Sequence, residues 1–186
     1  MAESTEPRSW LVLLTRLPTE PARHRMALWR ELRRGGAVLV GQSAWALPDL
    51  AAVTSVVERV RELAAGGGGE VLVLHATGYD DAAVDRLQSL YEAEREREWA
   101  EFVADCGKYL AELDREEAIG KFTLAELEEE EQSLDRLRRW YRDLRSRDLL
   151  GTAAALQADQ QLKECVSRLD GYAERVYAEV SGGPAR

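Results

Sequence analysis

The apolar positions of the first half of the chain change period several times within about 70 residues. Trp10–Leu17 is a compact apolar run closed by Pro18, the pattern of a β-strand. Met26, Trp29 and Leu32 then follow at helical spacing behind Pro21, and Gly35-Gly36 end that helix. Ala37–Gly41 and Ala44–Leu47 are short β-type runs joined by Gln42-Ser43, which predicts a hairpin. Asp49 stands where it can cap a second helix, with Val53, Val56, Val57, Val60 and Leu63 on its inner side. Four glycines, Gly66–Gly69, break the chain before a last strand over Glu70–His75. The order strand, helix, strand, strand, helix, strand predicts a ferredoxin-like split βαβ unit. Two helices would cover one face of a four-stranded antiparallel sheet.

From Asp80 the period is helical throughout. Asp80 or Asp81 caps a run reaching about Ala118, in which Trp99, Phe102, Cys106, Tyr109 and Leu113 step 3, 4, 3, 4. Such a helix measures about 55 Å if straight, so it must leave the sheet or bend across it. Thr123 and Glu126 form a capping box, with Phe122 and Leu127 as its hydrophobic staple. Leu127, Leu134 and Tyr141, with Leu137 and Leu144, repeat every seven residues and predict a seam against a partner helix. Gly151-Thr152 ends that helix and caps a third, whose Leu162, Val166, Leu169, Ala173, Val176 and Val180 share a face until Gly182-Gly183. The fold class expected is therefore α+β. A tail (1–8), read as disordered, precedes a ferredoxin-like domain (9–78), a three-helix bundle (79–182) and a short tail (183–186).

Charge sharpens this division. The net charge is −9, yet residues 1–78 hold 9 arginines against 8 acids, while 79–186 hold 16 bases against 26 acids. Overall acidity argues against nonspecific coating of nucleic acid and leaves room for a local basic face on the first half. No apolar run is long enough to span a membrane, and the acidic, polar start predicts no signal peptide. Two cysteines without metal-like spacing suit a reducing, cytoplasmic setting.

The first helix carries the leading candidate site. Arg23, Arg30 and Arg34 fall within about 40° of one another, away from Met26, Trp29 and Leu32. Three guanidiniums on one stripe can hold DNA phosphates or a small oxyanion through bidentate hydrogen bonds; a solvated helix face is the alternative. Arg25 points to the apolar side, where snorkelling or pairing with a buried acid is expected. Arg138, Arg142 and Arg145 form a second stripe for an anion or an acidic partner. Around them Asp135–Arg139, Arg139–Asp143 and Asp143–Arg147 are spaced as i,i+4 pairs. Trp10, Trp29 and Trp45 read as core. His24 and His75 lack ligand-spaced partners, so no metal or other cofactor is expected. Cys106 and Cys165 lie on apolar helix faces, the setting of inert core sulfur rather than a reactive thiol.

Several of these residues carry a resemblance. Trp10, Leu17-Pro18, Arg25, Leu28-Trp29-Arg30, Leu32, Gly35, Trp45 and Pro48 resemble the N-terminal domain of the chromate-resistance regulator ChrB family. The segment SLDRLRRWYRDLRSRDLLG continues the likeness into the second half. The first half alone is also similar, more weakly, to the central domain of PaaX-type repressors, and through it to ferredoxin-fold CRISPR-associated integration proteins. The resemblance implies a cytoplasmic bacterial regulator of transcription that responds to chromate and touches operator DNA. The nuclease cousins need an acidic metal ligand at the end of the first strand; here that region reads Leu14-Thr15-Arg16-Leu17, so no enzymatic activity is expected. The resulting expectation is a non-enzymatic sensor, homodimeric through its sheet domain, binding an oxyanion or DNA phosphates. A structural protein–protein interaction module is the alternative.

Overall fold

A computed structural model describes residues 9–181. It is a mixed α+β chain with one four-stranded antiparallel sheet and five helices among the described residues. In chain order they are β1 (Trp10–Arg16), α1 (Ala22–Arg34), β2 (Val38–Leu39), β3 (Ala44–Pro48), α2 (Thr54–Gly66), β4 (Glu70–Ala76), α3 (Asp81–Ala118), α4 (Leu124–Arg147) and α5 (Ala154–Ser181). The tails expected at 1–8 and 183–186, and the Gly182-Gly183 stop, lie outside the described residues.

The chain divides into two compact units. The first runs through Arg95 and takes in 145–151; the second comprises Glu96–Leu144 and the chain from Thr152 onward. The sequence puts its break at residue 79, whereas the structure keeps the beginning of α3 with the sheet. Tyr91 is the reason. It packs with Trp10, Val38 and Ala46, its hydroxyl donates to the Arg147 carbonyl at 2.7 Å, and it accepts from the Leu149 amide at 2.8 Å. Burial pushes the Tyr91 phenol up to about 12, against the opposing effect of the Leu149 amide, so it stays a neutral donor.

In the first unit the sheet order is β2-β3-β1-β4. Alternation sends Leu11 and Leu13 of β1 to the side of α1 and α2, where Leu28, Leu32, Val57, Val60 and Trp45 complete one core. The opposite face starts from Trp10, under Tyr91, and runs out to Leu14, Leu72 and Leu74, which are exposed. Leu14 stands directly across from Leu72 in the β1–β4 register.

Two expectations, one for α1 and one for α2, are corrected. Its buried stripe is Leu28 and Leu32, while Met26 is 52% and Trp29 45% exposed. The helix is rotated so that its two leucines face the sheet, and the indole is left at the rim, half in water, as an amphipathic ring tolerates. Asp49 caps nothing: its carboxylate meets His75 Nδ1 at 2.8 Å, a partner adjacent in space but not in sequence. A 3₁₀ turn, Ala51–Val53, leads into α2 without a side-chain cap.

In the second unit α3, α4 and α5 share a single core. Trp99, Phe102, Cys106, Tyr109 and Leu113 meet Leu127, Leu134, Leu137 and Leu144 of α4, and Cys165, Leu169, Tyr172 and Val176 of α5. On α5 the buried line is therefore Cys165, Leu169, Tyr172 and Val176; Leu162, Val166 and Ala173 flank it, and Val180 is exposed. Thr123 Oγ1 accepts the Glu126 amide at 3.3 Å as a cap should. The other half of the box is replaced, because the Glu126 carboxylate takes Lys121 at 2.6 Å. At the far end of α3, Asp80 Oδ1 accepts the Ala83 amide at 2.9 Å.

Candidate functional site

The surface of α1 is built by an arginine-rich helix whose basic C-terminal turn, Arg33 and Arg34, complements the helix dipole. Arg23, Arg30 and Arg34 are all exposed on it, as the spacing predicts. Their environments differ. Arg30 has no acidic partner among the described residues, and Arg23 reaches only His24 Nε2, at 3.4 Å. Arg34 Nη2 donates to both carboxylate oxygens of Glu31, at 2.7 and 2.9 Å, so its charge is already matched. Arg33 is tied to Glu94 and stacks over the Trp29 ring at 5.6 Å. Cation–π stacking of this kind holds the indole in place at the rim.

Arg25 does not pair with a buried acid. It is exposed and lines a pocket of about 300 Å³, whose apolar wall is Leu28, Trp29, Leu32 and Trp45 and whose polar rim is Thr15, Gln42 and Ser43. Thr15 Oγ1 donates to the Ser43 carbonyl at 3.2 Å, which fixes that rim. The sequence contained the clue, since Arg25 sits one turn before Trp29, but the pocket needs the β2–β3 turn brought against α1 by the fold.

The second stripe is divided. Arg138 and Arg142 belong to the second compact unit and Arg145 to the first. Arg138 is not unpaired: it bonds Asp135 at 3.3 Å, so Asp135 pairs three residues on rather than with Arg139 four on. Arg142 and Arg145 are exposed.

The cysteines meet across α3 and α5. Both are buried, and the Cys165 thiol lies 3.8 Å from the Cys106 carbonyl. A hydrogen bond from the Cys106 thiol to the Cys165 sulfur and then burial push the Cys106 thiol up, which favours its neutral form. Among the described residues no group of three or more histidines, cysteines or acids is placed to hold a metal ion.

Five charged side chains are buried among the described residues, Arg95, Glu98, Glu116, Glu130 and Asp148, and their burial was not legible in the sequence. Arg95 is enclosed beneath the sheet unit, donating to the carbonyls of Gly36 and Arg147 at 3.3 Å each, with its guanidinium 5.2 Å from the Tyr91 ring centre. Gly36, at φ 84°, occupies the left-handed region; a Cβ there would lie 2.6 Å from the Arg147 carbonyl oxygen. Glu130, on α4, lines a groove of the second unit.

Comparison with known proteins follows the same residues. A family model described as "Protein ChrB, N-terminal" matches residues 25–183, most of the chain. The chain belongs to the ChrB N-terminal family. One curated relative, Protein ChrB of Cupriavidus metallidurans, is 28% identical over 116 residues, which are 62% of this chain and 35% of that protein. The chain thus spans well under two thirds of the ChrB relative it matches. Arg25, Arg30, Arg34 and the whole of α4 fall within the family match, while Arg23 and β1 precede it. No helix among the described residues of this ChrB-family chain is long and apolar enough to cross a membrane.

Proposed function

We propose that this chain is a non-enzymatic regulatory module of chromate resistance, acting in the cytoplasm and binding an oxyanion or operator-DNA phosphates on α1. Membership of the ChrB N-terminal family carries the regulatory part. The binding part rests on one observation: Arg23 and Arg30 stand exposed on one stripe without an acidic partner among the described residues. Arg34 completes the stripe, and an incoming anion there competes with Glu31 for its guanidinium. Guanidinium forks suit tetrahedral oxyanions and phosphate diesters alike, because both present paired acceptor oxygens.

The order β2-β3-β1-β4 with α1 and α2 on one face supports reading the first unit as a ferredoxin-like split βαβ domain. The single core of α3, α4 and α5 supports reading the rest as a three-helix bundle. Leu14, Leu72 and Leu74, exposed on the other sheet face, supply an apolar patch for a homodimer. A dimer would set two α1 stripes on one DNA.

A gel shift on the gene's own upstream region tests the DNA arm. Retardation is expected at low salt and falls steeply as salt rises; Arg30→Ala weakens it and lowers the salt slope by about 1. Titration of wild type and Arg30→Ala with chromate and sulfate tests the oxyanion arm. No retardation at low salt together with no oxyanion response overturns both. The second reading is a protein–protein interaction module, favoured by the same leucine patch. Leu72→Lys with Leu74→Lys is expected to leave a monomer in sedimentation; an unchanged mass removes that patch as the interface.

A further inference from the structure

A separate feature lies within the second unit, along α3 and α4. A groove of about 550 Å³ runs there, with Tyr109, Leu137 and Trp140 giving it an apolar, aromatic lining. Its basic groups are already engaged. Lys108 bonds Asp105 at 2.5 Å, and Arg136 donates to Ser133 Oγ at 2.7 Å. Glu112, also in the lining, is tied to Arg115.

Glu130 is different. It is only 7% exposed as a residue and contributes to the lining; no described residue donates a hydrogen bond to its carboxylate, whose oxygens keep access to water in the groove. The one bond it receives is at its backbone carbonyl, from the Tyr109 hydroxyl at 3.4 Å. Its charged neighbours do not help: Glu112 and Glu116 on α3, and Glu126 and Glu129 on α4, all disfavour its negative charge. The nearby Lys121 is held between Glu116 at 3.3 Å and Glu126 at 2.6 Å. A carboxylate largely withdrawn from water and ringed by other carboxylates is costly to ionise, and a cation arriving in the groove offsets that cost.

A ligand that pairs with this carboxylate brings N–H donors and positive charge, and it fits against the aromatic lining. A hard metal ion needs several oxygen ligands, and no such cluster exists among the described residues. An organic ammonium needs one carboxylate and ring faces, which is what the groove holds. We infer that the α3–α4 groove binds a primary ammonium compound of modest size, its N–H groups on the Glu130 carboxylate and its body against Tyr109 and Trp140. The surrounding second half, with its excess of acids, draws cations toward the groove. This site is independent of α1 and stands whether or not DNA is bound.

Benzylammonium chloride is the probe, used on the full chain at pH 8, where Glu130 is charged. Saturable binding by calorimetry and a rise in Tm are expected, with amide shifts in NMR spectra confined to residues around Tyr109, Leu137 and Trp140. Glu130→Gln preserves shape and should weaken binding at least tenfold. Benzyltrimethylammonium, which keeps the charge but has no N–H donor, should bind at least tenfold more weakly. A response to benzylammonium no larger than that to equal sodium chloride overturns the inference. So does undiminished binding by the glutamine variant, or shifts spread over the acidic surface. If the variant fails to fold, the wild-type shift map and the trimethyl comparison decide.

Discussion

Phe102→Ala is expected to cost about 3–5 kcal/mol of stability. The ring is fully buried in α3 and touches three other aromatics: Trp99 at 6.1 Å, Trp140 at 5.4 Å and Tyr141 at 5.7 Å between centroids. Removing it deletes edge-on ring contacts as well as buried area. It also leaves a void that large flat neighbours on two helices cannot close. Urea unfolding followed by far-UV circular dichroism reads the loss. Because the chain has two compact units, the affected transition should be the helical one, with the sheet unit's transition unmoved. A cost below about 1.5 kcal/mol would mean that the core around Phe102 is looser than its burial implies.

The second large effect is on pH dependence and comes from Glu130. Burial, then the nearby carboxylates of Glu112, Glu116, Glu126 and Glu129, push its carboxyl up from 4.5 to about 7. The folded state therefore holds this proton more tightly than the unfolded chain does. Its contribution is fully present below about pH 4.5 and is lost as pH rises through about 7. Folding should weaken across that window relative to Glu130→Gln, which has no proton to lose. Subtracting the stability curve of the glutamine variant from that of wild type between pH 4.5 and 8 isolates the effect from the other acids. A flat difference would show that Glu130 is fully hydrated or meets a donor. Above pH 7 the variant should be the more stable protein. A saturating ammonium ligand should restore part of what wild type loses there.

Much of this architecture could be read from the order of residues alone. Each strand and helix of the described chain matches a run predicted from period 2 or 3.6, bounded by Gly35-Gly36, Gly66–Gly69, Gly120 and Gly151. The reason is local. Caps, breakers and the alternation of apolar positions act over a few residues, so Thr123 and Asp80 place their caps without help from the fold. The positions of Arg23, Arg30 and Arg34 on one exposed face are local in the same sense, since helix geometry alone fixes them.

The sequence by itself determined the order and kind of the elements, the break in charge between the halves and the arginine stripe on α1. Only the tertiary structure decided which side of α1 is buried. Met26, Trp29 and Leu32 and the pair Leu28 and Leu32 are both valid helical stripes, and the sheet's surface chose the second. It alone joined Asp49 to His75, Tyr91 to Arg147 and the Cys106 carbonyl to Cys165, pairs separated by 26 to 59 positions. It alone withdrew most of Glu130 from water and set it among other carboxylates. Such features depend on which distant groups arrive, and desolvation is a property of the assembled interior that no spacing along the chain encodes.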